Sequence, residues 1–318
     1  MGDAPPLPVL ALFGPTACGK TDLALALADR RRVHLINGDA VQVYRDLAAG
    51  TARPQGSEMR HPWALVDWLE PDDPVDVGRW LAAAGAEIRW AAGAGRLPVV
   101  TGGSGLYFRA LVEGLSAAPG RQEALRRRFR RLAERRGVAF LHRVLTRLDP
   151  PAARRLAAAD LPRLLRALEV RVATGRSLLS FHGGGGPGSY RVLEVGVGLP
   201  RGEMDARIGR RVERFLARGL VAEVQWLLGP RRLDPCCNAL RAIGYRECVD
   251  WLRRGRPGGR DTLRRRIERN TRRLARRQLT WFRARRRALW IDPRWSGAVD
   301  RLVELCDRLA GIEGPGPA

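Results

Sequence analysis

Lysine is almost missing from this chain: of 57 basic residues, 56 are arginine and Lys20 alone is lysine. Any task that needs a primary amine therefore falls on one position. Cysteine is sparse as well. The five present (Cys18, Cys236, Cys237, Cys248, Cys306) are an odd set without CxxC spacing or a nearby histidine cluster. That pattern argues against a disulfide framework or a zinc site, and places the chain in a reducing cytoplasm. No run of about eighteen apolar residues occurs, the length a spanning helix needs. The segment Met1 to Pro8 carries one acid and three prolines where a signal peptide would be basic and then apolar. Neither a membrane span nor Sec export is expected. No internal repeat is present, whereas 45% hydrophobic residues in 318 leave ample material for a folded core.

Acidic charge is scarce in only part of the chain. Residues 1–118 hold 11 Lys plus Arg and 13 Asp plus Glu, a net of −2; residues 119–318 hold 46 and 20, a net of +26. A field of that sign and size suits a polyanion such as nucleic acid. An arginine bias spread over solvated helix faces would produce the same totals.

Lys20 lies in Gly14-Pro15-Thr16-Ala17-Cys18-Gly19-Lys20-Thr21, a full match to GxxxxGK[ST]. With 36 glycines and one lysine, chance would produce it with a probability on the order of one in a thousand. The flanks agree: Val9 to Phe13 reads as a short buried strand and Thr21 to Asp29 as a helix. Such a loop turns backbone N–H groups onto phosphate oxygens, the helix N-terminus adds positive potential, and Lys20 adds a full charge. The Thr21 hydroxyl is placed to hold Mg²⁺. The motif calls for phosphate or diphosphate without saying which molecule carries it.

Further on, Arg32 to Asn37 is a second apolar run ending in Gly38-Asp39, and Leu97 to Thr101 a third, followed by Gly102-Gly103-Ser104-Gly105. In doubly wound sheets ligands bind beyond the C-terminal strand ends, which would bring Asp39 and Ser104 to the phosphate loop. A helix N-cap is the alternative for Asp39. Asp76 to Ala92 reads as a helix, Arg121 to Thr174 as several Arg-rich helices, and Gly183 to Gly188 as a loop. Tyr190 to Leu199 alternates like a strand returning to the sheet. Glu203 to Leu228, Arg241 to Arg254 and Thr262 to Arg287 follow as helices. The expected fold is α/β, a P-loop parallel sheet with an inserted helical domain and a helical C-terminal part. Its divisions are 1–118 (first part of the core), 119–189 (insertion), 190–310 (rest of the core with Arg-rich helices) and 311–318 (disordered tail).

Residues Arg264 to Arg287 contain twelve arginines against one acid, Glu268. Self-repulsion disfavours such a helix without a counter-charge, which a nucleic-acid backbone supplies. Three functions remain open on these grounds: a P-loop small-molecule kinase, an RNA-stimulated NTPase, and a transferase with a diphosphate donor and a nucleic-acid acceptor.

Six stretches in order resemble the tRNA dimethylallyltransferase (IPP transferase) family. They are Gly14 to Thr21; Asn37-Gly38-Asp39-Ala40-Val41-Gln42-Val43-Tyr44-Arg45 with Ala49 to Pro54; Gly102 to Tyr107; Arg166-Ala167-Leu168-Glu169-Val170; Arg241-Ala242-Ile243-Gly244-Tyr245-Arg246; and Thr271 to Phe282. The resemblance implies transfer of a dimethylallyl group from dimethylallyl diphosphate to N6 of adenosine 37 of tRNA, by a monomer using Mg²⁺. Gly14, Pro15, Thr16, Ala17, Cys18, Gly19, Lys20 and Thr21 would bind the diphosphate, with Thr21 on the metal. Asp39 would be the general base, in a catalytic set with Thr16, Lys20, Ser104 and an arginine, Arg207 or Arg211. Contacts to tRNA would come from Asp39, Ala40, Val41, Gln42, Ser104, Pro162, Arg163, Leu164, Leu165, Arg166, Arg241, Ala242, Ile243, Gly244, Tyr245 and Arg246, and the inserted helices would grip the anticodon arm. Ser104 stands where the family more often has Thr, Pro162 where it commonly has Gln, and His61-Pro62-Trp63 matches a His-rich stretch loosely.

Overall fold

The computed structural model describes residues 5–181 and 190–311. The chain divides into two compact units, one of residues 1–112 with 189–318 and one of residues 113–188.

The larger unit is built on a six-stranded, wholly parallel sheet of order β3-β2-β4-β1-β5-β6. Strand β1 (Leu7–Phe13) lies at its centre, followed by α1 (Lys20–Arg30), β2 (Val33–Asn37), β3 (Trp63–Ala64), α2 (Val77–Gly93), β4 (Leu97–Gly102) and α3 (Gly105–Glu113). Side chains alternate across β1. Leu10 and Leu12 pack with α1, while Val9, Ala11 and Phe13 pack with Trp80 of α2 and Phe108 of α3. Both faces are covered, which is why these strands read as continuous apolar runs. Parallel pairing also sends the loops after β1, β2 and β4 to one edge of the sheet.

Residues 113–188 form the second unit, with α4 (Glu123–Arg136), α5 (Val138–Leu148), α6 (Pro150–Arg154) and α7 (Leu161–Thr174) around Phe129, Leu141, Leu145, Leu164 and Leu168. Asp160 caps α7 by accepting from the Arg163 N–H, and the Pro162 ring occupies the first turn, where no backbone donor is lost. The chain then re-enters the sheet as β5 (Tyr190–Val197), paired with β1 from Leu7↔Tyr190 to Phe13↔Gly196. The glycine-rich stretch 183–188 lies outside the described residues.

The span Glu203 to Leu228, expected as one helix, is two: α8 (Arg201–Ala217) and α9 (Leu220–Leu228). Gly219 has φ +90°, a left-handed conformation that ends the helical path at almost no cost to glycine. Arg241 to Arg254 also starts later than expected, as α10 (Tyr245–Arg253), because Gly244 turns the chain at φ +99°. The Arg-rich helix α11 spans Gly259–Arg283. Two further elements complete the sheet layer: β6 (Leu289–Ile291) beside β5, and α12 (Ala298–Ala310) packed with α1 on the face bearing Leu10 and Leu12. Helices α8 to α11 enclose their own core around Ile208, Val212, Leu220, Tyr245 and Ile267. Of the tail expected at 311–318, Gly311 caps α12 and the rest lies outside the described residues.

Candidate active site

The loop after β1 begins α1 with Gly19 at φ +96° and no side-chain cap, so the first N–H groups of the helix stay open to an anion. Lys20 donates from Nζ to the Pro15 carbonyl at 2.8 Å, across the loop. Arg211 of α8 donates to Thr16 Oγ1 at 2.9 Å, and Arg207, one turn earlier, is near enough to Gly19 that a Cβ there would stand 3.5 Å from its Nη1. Both arginines named from the sequence therefore reach the loop. Burial first, and the charge of Arg214 second, pull the Arg211 guanidinium below its ordinary pKa. A bound anion would relieve that repulsion.

Asp39 follows β2 and is not a helix cap. Its amide donates to Asn37 Oδ1 at 3.0 Å and its Oδ1 accepts from the Val41 N–H at 2.9 Å, an Asx turn that fixes the carboxylate at the sheet edge. Asn37 is held in turn by its Nδ2 donating to the carbonyls of Asp39 and Leu65. Ser104 Oγ accepts from the Ala40 N–H at 2.9 Å, so the hydroxyl is oriented without the methyl that Thr would bring. Asp39 also raises the Tyr107 phenol, after burial as the larger cause.

These loops are tied to α11 by Gln278, which the sequence did not single out by role. Its Oε1 accepts from the Thr16 N–H and its Nε2 donates to the Gly103 carbonyl, both at 2.9 Å. A Cβ on Gly103 would lie 2.5 Å from Gln278 Nε2, so any larger residue there would displace the Gln278 amide from this bond.

A cleft of about 320 Å³ joins these parts. Thr16, Gly19, Lys20, Thr21 and Asp22 line it from the loop and Asp39, Val41 and Gln42 from the second edge. Arg207, Arg210, Arg211, Arg214 and Arg218 line it from α8 and Ala242 and Ile243 from the turn before α10. A larger and more open groove, around Arg45, Asp67 and Trp226, lies away from the phosphate loop. The donor set suits Mg²⁺: the Thr21 hydroxyl with Asp22 and Asp39 in one cleft gives few protein oxygens, leaving positions for phosphate and water. Among the described residues no cluster of three or more His, Cys, Asp or Glu offers an all-protein metal cage.

Other residues named from the sequence fall elsewhere. Leu164 and Leu165 are buried in the core of the second unit and have no side-chain surface for RNA; Pro162, Arg163 and Arg166 lie on more open positions of the same helix, with Arg166 donating to the Pro119 carbonyl. Tyr245 is fully buried, donates to Glu223 Oε1 at 2.5 Å and accepts from the Gly50 N–H, so it shapes the loop at Gly50 rather than facing the cleft. Arg246 pairs with the buried Glu247, and Arg241 is exposed. Of the arginines expected to meet solvent or phosphate in Arg264 to Arg287, Arg264, Arg266, Arg272 and Arg285 are instead paired with acids. Arg214 and Arg218, which also line the cleft, were visible only as a spacing, since 207, 211, 214 and 218 fall at helical intervals on one face.

A parallel α/β sheet whose central strand feeds a phosphate loop, with a fixed carboxylate and a wall of arginines on the same edge, defines the class of P-loop α/β enzymes. The chain belongs to the IPP transferase family, whose model matches residues 42–285, and the model for isopentenyl transferase matches residues 7–67. It is 40% identical over 312 residues to a tRNA dimethylallyltransferase of Symbiobacterium thermophilum, covering 97% of each chain. To the tRNA isopentenylpyrophosphate transferase of Bacillus halodurans it is 30% identical, with a TM-score of 0.69 over 96% of this chain and 97% of that one. A eukaryotic dimethylallyltransferase solved acting on tRNA shares the fold at a TM-score of 0.80 and 20% identity, covering 97% of this chain and 81% of that one.

Proposed function

We propose that this chain transfers a dimethylallyl group from dimethylallyl diphosphate to N6 of the adenosine immediately 3′ of the anticodon of tRNA, position 37, and releases diphosphate. The observation that carries the reading is the shared cleft: phosphate loop, arginine wall and Asp39 line one space of about 320 Å³. Kinship supports the acceptor, since the relatives above are named for tRNA. A small-molecule kinase or RNA-stimulated NTPase, left open by the P-loop alone, is not favoured by those relatives.

In the reaction the N6 lone pair attacks C1 of the donor, the C1–O bond breaks with its electrons passing to diphosphate, and a proton leaves N6 for Asp39. Adenine's exocyclic amine is a poor nucleophile, so the main demand is to stabilise the departing charge. Loop N–H groups, Lys20, Arg211 and Arg207 would do this; removing one such donor typically costs about a hundredfold or more in turnover. Mg²⁺, held by Thr21 with Asp22 at hand, would neutralise diphosphate charge when bound. The Asx turn at Asp39 aims its carboxylate before substrate arrives, so its work is orientation and proton acceptance as the new bond forms.

No described helix is long and apolar enough to cross a membrane. We further propose that it acts in the cytoplasm, as a monomer. The reading is tested by incubating the protein with radiolabelled dimethylallyl diphosphate, Mg²⁺ and unmodified tRNA. Label in tRNA without phosphate transfer from ATP supports it; ATP-dependent phosphate transfer or RNA-stimulated hydrolysis without label overturns it.

A further inference from the structure

Arg207, Arg211 and Arg214 of α8 and Arg218, which caps its C-terminus, stand at intervals of four, three and four, so they share one face, and all line the cleft. The row has a direction. At its first end Arg207 approaches Gly19 and Arg211 bonds Thr16, bracketing the phosphate loop from two backbone positions about 6 Å apart along the axis. At its far end α8 ends at Ala217, and Gly219 turns the chain into α9. The next residue, Leu220, packs so tightly on Gly50 that a Cβ there would meet its Cδ1 at 2.6 Å. The loop that follows Gly50 is bonded by Gln42, whose Nε2 donates to the Ala52 carbonyl at 3.0 Å. Arg218 therefore ends on the side of the cleft that carries Gln42 and Ile243, about 10 Å along the axis from Arg211.

A diphosphate seated between Thr16 and Gly19 does not need those last two charges. Among the described residues Arg207 alone of the four pairs with a carboxylate, Glu203, whereas Arg214 and Arg218 are within ion-pair distance of none. Like charges at these intervals repel and destabilise the helix, and the lowered pKa of Arg211 has the same origin in part. We infer that Arg214 and Arg218 form a second anion site, separate from the diphosphate loop, which holds a backbone phosphodiester of the RNA acceptor and so sets the target adenine opposite the donor carbon. The inference rests on the proposed transfer to RNA. Phosphate oxyanions are the chemistry recognised, and free diphosphate is the other source that offers them.

The experiment compares the wild-type chain with an Arg214→Gln/Arg218→Gln variant and an Arg214→Lys/Arg218→Lys variant. It measures KM for tRNA and for dimethylallyl diphosphate, inhibition by inorganic diphosphate, the salt dependence of tRNA binding, and the thermal midpoint. The Gln variant should raise KM for tRNA about tenfold, flatten the log–log salt slope by about 1 to 2, and change the two diphosphate constants less than twofold. The Lys variant should keep most of the slope, because charge is retained. An unchanged tRNA KM and slope overturns the site. So does an effect confined to the diphosphate constants, which would give the charges to the donor, or a lowered midpoint with an unchanged slope, which would make them helix C-terminal stabilisers only. Failure of the wild-type protein to label tRNA would instead refute the transfer reading itself.

Discussion

Gln278 and Thr16, 262 residues apart in the chain, are joined by a hydrogen bond of 2.9 Å from the Thr16 amide to the Gln278 side-chain carbonyl. On its other side Thr16 accepts from Arg211. The first half of the phosphate loop is thus held by α11 through its backbone and by α8 through its hydroxyl. Replacing Gln278 with Met keeps the length of the side chain and removes both bonds, leaving the Thr16 donor and the Gly103 acceptor unpaired at about 1 to 3 kcal/mol for each buried group. The expected outcome is a KM for the diphosphate donor raised about tenfold with tRNA affinity within a few-fold, read from steady-state kinetics with each substrate varied in turn.

Lys20→Arg keeps the charge but replaces a compact ammonium by a planar fork in a loop where the ammonium spans to the Pro15 carbonyl. A loss of turnover of about a hundredfold or more is expected. A single-turnover assay at saturating tRNA measures it, and full activity would remove Lys20 from the leaving-group site.

Asp39→Asn preserves the acceptor for the Val41 N–H while removing the proton-accepting charge. Turnover should fall about a hundredfold with tRNA affinity changed only a few-fold. Loss of tRNA binding with retained turnover would make Asp39 a recognition residue.

The arginines of α11 divide into two groups with different expected behaviour. Arg272 ion-pairs with Asp205 and the buried Glu268. Arg272→Gln should therefore lower stability by an amount on the order of 1 kcal/mol, read as a lower thermal midpoint, and leave the salt slope alone. Arg273, Arg276 and Arg277, for which no ion pair occurs among the described residues, should do the reverse when changed together to Gln, flattening the slope of tRNA binding. Equal slopes for the wild type and the triple variant would take this helix out of the RNA interface.

Acid should loosen the phosphate loop from one side. Hydrogen bonds from Arg294 hold the Asp292 carboxyl at about 2 against an ordinary 3.8, and Pro293 between them packs at 3.4 Å from the position of a Gly19 Cβ. A carboxyl lowered on folding stabilises the native state above its unfolded pKa and loses that contribution as pH falls through the folded one. The Asp292 contribution is therefore whole above about pH 4 and disappears toward pH 2. Thermal midpoints from pH 6 to pH 2.5 should fall less steeply in Arg294→Gln than in the wild type.

The phosphate loop could be read from the sequence because its geometry needs glycine and lysine at fixed spacing, and β5 because its alternation matches a strand feeding a sheet. The break at Gly219 could not, since a glycine inside a helical pattern is tolerated as often as it terminates one. Gln278 lay within a recognised stretch, yet its work depends on Thr16 and Gly103, which only the closed sheet edge brings near. Composition overstated the free charge of this Arg-rich stretch for a related reason: Asp205 and Asp250, which pair with Arg272 and Arg266 of α11, and Glu194, which pairs with Arg285 just beyond it, come from other elements. Leu164 and Leu165 show the converse, a matching position whose apolar side chains the fold places in the core.

On the proposed reading, one cleft aligns a diphosphate donor with adenosine 37 of tRNA. Nuclease digestion and mass spectrometry of tRNA after reaction with dimethylallyl diphosphate test it most directly. One five-carbon addition on N6 of that adenosine, abolished in tRNA carrying guanosine there, is the predicted result. Unmodified tRNA with dimethylallyl diphosphate left intact would contradict it.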